Sequence, residues 1–114
     1  MNERRRLKRR HLIYYLRVFN RETDQLLGNL VDITEEGLML ISEQPIELSL
    51  TFQMRMLLPS NIGGMESWEF DAISRWCRKD INPDFFDSGF QLVDIDLKGL
   101  TVIRNLIRGF GFQD

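Results

Sequence analysis

Six cations crowd the first ten residues, MNERRRLKRR, and five of them are arginines: Arg4, Arg5, Arg6, Arg9 and Arg10. Arginine carries a planar fork that grips phosphate or the guanine edge bidentately and stacks on rings, which lysine does not do. Downstream lies a turn, Asp32-Ile33-Thr34-Glu35-Glu36-Gly37. Asp32 and Thr34 stand two apart, so in an extended chain both side chains point to one side. A carboxylate placed there can accept from the N1–H and N2–H₂ edge of a guanine, and a neighbouring hydroxyl can donate to a phosphate. Arginines nearby could take the O6/N7 edge, cover purine faces and neutralise charge. Together these parts suit a guanine nucleotide with several phosphates. Asp and Thr also bond local backbone amides, and a glycine at 37 would serve a turn by supplying a positive φ.

Other chemistries find little support. His11 is the sole histidine and stands at the mouth of a strand pattern, as a surface residue would. Cys77 is the sole cysteine, which excludes an internal disulfide and a cysteine-based metal site. The carboxylates are scattered, with no ligand spacing or catalytic pair, and phosphate-loop and dinucleotide-binding glycine patterns are absent. The expectation is a protein that is not an enzyme and holds no metal or resident cofactor.

The net charge of −2 conceals an asymmetry: residues 1–10 carry +5, and the remaining 104 residues carry −7. Cations so concentrated suit a compact anion better than an extended polyanion. With 114 residues, 43% hydrophobic and 28% charged, the chain has the size and composition of one folded domain. No apolar run approaches the ~18 residues of a membrane span, and no signal-peptide pattern stands out. A cytoplasmic setting without membrane insertion is expected.

The elements that would position these residues follow from periodicity. HLIYYLRVF (11–19), QLLGNLVDI (25–33) and LMLIS (38–42) read as strands, with a bulge expected at Gly28. Strict alternation from 47 to 58 predicts a long strand whose buried face is Leu48, Leu50, Phe52, Met54, Met56 and Leu58. After a turn at PSNIGG (59–64), Trp68, Phe70, Ala72, Ser74 and Trp76 alternate in a strand predicted to pair with it, and SGFQLVDI (88–95) reads as the last strand. Leu97, Leu100, Ile103, Leu106, Ile107 and Phe110 then recur at helical spacing over about 96–110, with Asp96 as cap and Gly109 or Gly111 as terminator. The expected fold is mainly β: a flexible basic arm over residues 1–10, then one domain over 11–114, a six-stranded antiparallel barrel with a C-terminal helix covering an open end.

The order of motifs resembles the PilZ domain family, whose signatures are an RxxxR arm and a D/N-x-S-x-x-G turn. Arg5 and Arg9 match the arm, with Arg4 just before the pair and Arg6 just after its first member; Arg6 and Arg10 stand at the same spacing. Asp32-x-Thr34-x-x-Gly37 matches the turn, with threonine in the place of serine. Arg75-Trp76-Cys77 and Gly89-Phe90-x-Leu92-x-Asp94-Ile95 agree with the downstream pattern, so the resemblance spans essentially the whole chain. It implies a bacterial cyclic di-GMP receptor with that same barrel. Arg4, Arg5, Arg6, Arg9, Asp32, Thr34 and Gly37 would surround the dinucleotide on the outer face. Trp76 would lie in the core by the phase of its strand, or offer a ring face to a guanine as tryptophans in similar proteins can. Such proteins hold one cyclic di-GMP or an intercalated pair, and the surplus arginines Arg4 and Arg6 favour the pair. Output would pass by arm closure to a protein partner, in motility, pilus or exopolysaccharide machinery. The rival readings are a PilZ-like protein adaptor that binds no nucleotide, and a small barrel binding RNA or single-stranded DNA; the acidic barrel portion argues against nucleic acid.

Overall fold

A computed structural model of the chain describes residues 16–59 and 64–110. Six strands form a closed antiparallel barrel: β1 (Leu16–Asn20), β2 (Leu26–Ile33), β3 (Gly37–Ser42), β4 (Thr51–Leu57), β5 (Ser67–Lys79) and β6 (Phe86–Val93). Around the barrel they run β1-β2-β3-β6-β5-β4, and β1 pairs with β4 to close it. Closure satisfies every strand edge over the paired length, and alternation then separates an apolar interior from a polar outer face. The mainly β fold with its terminal helix is therefore the one expected from the sequence.

The interior is filled by Val18, Leu30, Leu40, Met54, Met56 and Ala72, all without exposed surface, together with Trp68, Phe70 and Phe90. The helix α1 (Leu97–Phe110) starts where Asp96 Oδ1 accepts from the Gly99 amide at 2.8 Å, the predicted cap. Its Val102, Ile103 and Leu106 enter the core. Leu97, counted in the same apolar run, is 80% exposed, because it stands nine residues before Leu106 and so about half a turn out of phase with it, facing away from the core. Gly109 does not end the helix, which continues to Phe110; Gly111 lies outside the described residues.

Three sequence expectations change. The strand predicted from 47 to 58 begins only at Thr51. Ser49 turns the backbone at φ 63°, and the buried Ser74 hydroxyl donates to the Glu47 carbonyl at 2.6 Å and accepts from the Leu50 amide at 3.2 Å. That anchor folds residues 47–50 against β5, leaving Leu48 and Leu50 substantially exposed instead of buried. The irregularity expected at Gly28 falls on its neighbour: Val18 pairs with Gly28 and Phe19 with Leu26, so Leu27 is the extra residue. Gly37 does not have a positive φ. A Cβ there would collide with the Phe90 carbonyl oxygen, so the glycine permits β3 to approach β6. Residues 11–15 and 60–63, parts of a predicted strand and of a predicted turn, lie outside the described residues.

Candidate functional site

Two β-bulges decide what faces outward. In β2, Leu30 pairs with Leu40 and Asp32 with Met39, so Val31 is an inserted residue. Strict alternation from the buried Leu30 would carry Asp32 into the core. The insertion reverses the phase: Ile33 is buried and Asp32 emerges half-buried on the outside. In β5 the same event occurs at Arg75, where Ser74 pairs with Phe90 and Trp76 with Gly89. Ser74 is wholly buried, whereas Trp76, two residues on, is 36% exposed. The phase argument that placed Trp76 in the core fails for this reason.

Both outward side chains line one groove of about 840 Å³ on the barrel's flank, within the ~300–1,000 Å³ typical of small-molecule sites. Thr34 and Gly37 line it as well. Of the residues singled out from the sequence, Asp32, Thr34, Gly37 and Trp76 are thus brought together, although two strands intervene between β2 and β5 around the barrel. Arg4, Arg5, Arg6 and Arg9 lie outside the described residues, as does His11.

The turn is rigidly built. Thr34 Oγ1 accepts from the Glu36 and Gly37 amides at 3.2 and 3.3 Å, and the Thr34 amide donates to the Gly37 carbonyl at 2.8 Å. The Leu92 amide donates to the Glu36 carbonyl at 2.9 Å, tying the turn to β6. With two incoming donors, the Thr34 hydroxyl keeps its own hydrogen for a long contact of 3.5 Å with the Gly37 carbonyl. Asp32 Oδ1 accepts from the Ile33 amide at 2.9 Å. Glu35 reaches across to α1, where Arg104 Nε donates to its Oε2 at 2.8 Å.

The opposite wall is built on Trp76. Its indole lies against the backbone at Gly89, where a Cβ would run into the ring. Arg78 stacks over the ring at 4.7 Å from its centroid. Arg75, displaced by the bulge, also lines the groove and donates from Nε to Gln91 Oε1 at 2.8 Å. Arg75 entered the sequence reading only within the Arg75-Trp76-Cys77 pattern, and Arg78 and Gln91 were not singled out; nothing local reveals that the three face one groove. Among the described residues no cluster of three or more His, Cys, Asp or Glu could hold a metal ion, and no helix is long and apolar enough to cross a membrane.

No protein-family model matches the chain, and no curated protein matches it. Among solved structures, it is similar to that of the Bacillus subtilis inhibitor of motility MotI/DgrA, with a TM-score of 0.67 at 14% identity. The likeness is one of fold. It covers 84% of this chain and 46% of the other, so the chain spans about half the length of that protein.

Proposed function

We propose that the chain is a cyclic di-GMP receptor that signals through a protein partner. The observation that supports this reading most is the pair of bulges that turn Asp32 and Trp76 out of the barrel into one groove beside the Thr34–Gly37 turn. In this reading the Asp32 carboxylate accepts from the guanine N1–H and N2–H₂, and the Thr34 hydroxyl exchanges its long contact for a phosphate oxygen. A purine takes the place of Arg78 on the Trp76 ring; such base–aromatic stacking contributes roughly 1–3 kcal/mol per base. Leu16, the first described residue, pairs with Leu30, two positions before Asp32.

Arg5 and Arg9 then close over the phosphates and purine faces, with Arg4 and Arg6 available to a second dinucleotide. Charge-assisted bonds and stacking offset the ordering of a like-charged segment. Closing the arm changes the surface that a partner meets. The structurally similar protein is an inhibitor of motility, and a partner in the motility machinery is accordingly the first to consider here.

Tryptophan emission offers a direct test, because Trp68 is 5% exposed and Trp76 is 36% exposed. Cyclic di-GMP is expected to quench emission saturably, with GTP at equal concentration having little effect. Trp76→Phe should remove the signal while calorimetry still detects binding, since phenylalanine keeps a ring face. Unchanged emission in the native chain would contradict the stacking geometry. Absence of binding by calorimetry as well would leave the nucleotide-free adaptor reading.

A further inference from the structure

The ends of β2 and β3 remote from the Asp32 turn frame a second groove. Their pairing stops at Asn29 opposite Ile41, while β2 extends back to Leu26 with only β1 alongside it. The chain after Ser42 is drawn away from β2 towards β5: the Ser42 hydroxyl donates to the Gln44 carbonyl at 2.7 Å, the Ile46 amide donates to Cys77 Sγ at 3.5 Å, and Ser74 holds Glu47. Between this segment and β2 opens a groove of about 580 Å³. Its walls include Leu26, Leu27, Ile46, Leu50, Phe52 and Phe85, with Leu26 52% and Leu50 41% exposed. Glu43 and Glu47 also line it, and among the described residues no lysine or arginine does.

We propose that this groove docks an extended segment of a partner protein in which apolar residues alternate with lysine or arginine. An extended chain presents side chains to two sides in turn, so one set can fill the apolar floor while the other meets Glu43 and Glu47. Its backbone can lie along Leu26 and Leu27, beyond the last β2–β3 pair, where strand addition gives affinity and the side chains give selectivity. Charge complementarity selects this occupant. A second barrel of this chain brings a portion carrying −7 to an acidic groove, and the chain's own basic arm holds only Leu7 as an aliphatic residue among its six cations. The proposal does not depend on nucleotide binding at the other groove. The surface takes the apolar contacts and the acids that flank them from β2, β3, β4 and the 43–50 segment together.

The test is an amide chemical-shift titration of the isotope-labelled full chain, without nucleotide. The probe is a capped octapeptide alternating valine and lysine, beside versions with glutamate for lysine and serine for valine. Shifts are expected for the valine–lysine peptide alone, centred on Leu26, Leu27, Glu43, Ile46 and Glu47. Leu26→Asp should weaken the affinity about tenfold or more. Glu43→Lys with Glu47→Lys should transfer the preference to the valine–glutamate peptide, keeping the test independent of any folding defect at Leu26. No shifts, shifts elsewhere, or a preference that survives charge reversal would overturn the proposal. Groove shifts that grow with protein concentration before peptide is added would assign the surface to a second copy and overturn it equally.

Discussion

Asp32→Ala is expected to weaken cyclic di-GMP binding by roughly 10- to 100-fold, the range for losing hydrogen bonds to a charged acceptor. In the proposed scheme the Asp32 carboxylate accepts from the guanine edge, while Arg75, Arg78 and the Thr34 hydroxyl, which also line the groove, supply donors. Asp32→Asn keeps one acceptor oxygen and should fall between the native chain and the alanine variant. Calorimetric titration measures both, with thermal unfolding followed in parallel because Asp32 also accepts from the Ile33 amide. Native affinity in Asp32→Ala would remove the carboxylate from the recognition scheme.

The second large effect concerns stability. Leu106 has no exposed surface and packs among barrel and helix side chains, so Leu106→Ala should lower unfolding free energy by about 2–5 kcal/mol. Leu97 belongs to the same run of apolar residues but stands about half a turn out of phase with Leu106 and is 80% exposed, and Leu97→Ala should change stability by less than about 0.5 kcal/mol. Urea unfolding at unchanged slope distinguishes the two. Equal losses would mean that the helix presents a different face to the barrel.

Those two leucines also mark how far the sequence could be read. Periodicity locates a helix, but successive three-residue steps drift round its axis, so an apolar run that starts at Leu97 has left the face of Leu97 by the time it reaches the buried Leu106. The strands were legible from alternation over many residues, except at 47–50, where the pattern continues but the Ser74 hydroxyl folds the chain away from the strand. The site was legible only in part. Asp32, Thr34 and Gly37 announce a turn by their types and spacing, and the turn forms through Thr34 Oγ1. The reason for Gly37 was not legible, since close approach to Phe90 is a property of two strands far apart in the chain. Trp76 was ambiguous for a related reason. An inserted residue at Arg75 reverses the phase of everything after it, and an ordinary arginine bears no local mark of that role. The same holds for Val31, on whose insertion the outward placement of Asp32 rests. Ser74 was read as one more member of an alternating face, whereas its buried hydroxyl ends the pairing of β4 and shapes the segment beside the second groove.

Calorimetric titration of the full chain with cyclic di-GMP, beside GTP and an Arg5→Ala/Arg9→Ala variant, tests the central claim most directly. The account predicts saturable heat with a stoichiometry near one or two for the native chain, little response to GTP, and loss of binding in the double variant. No heat from the native chain, or full binding by the double variant, would contradict it.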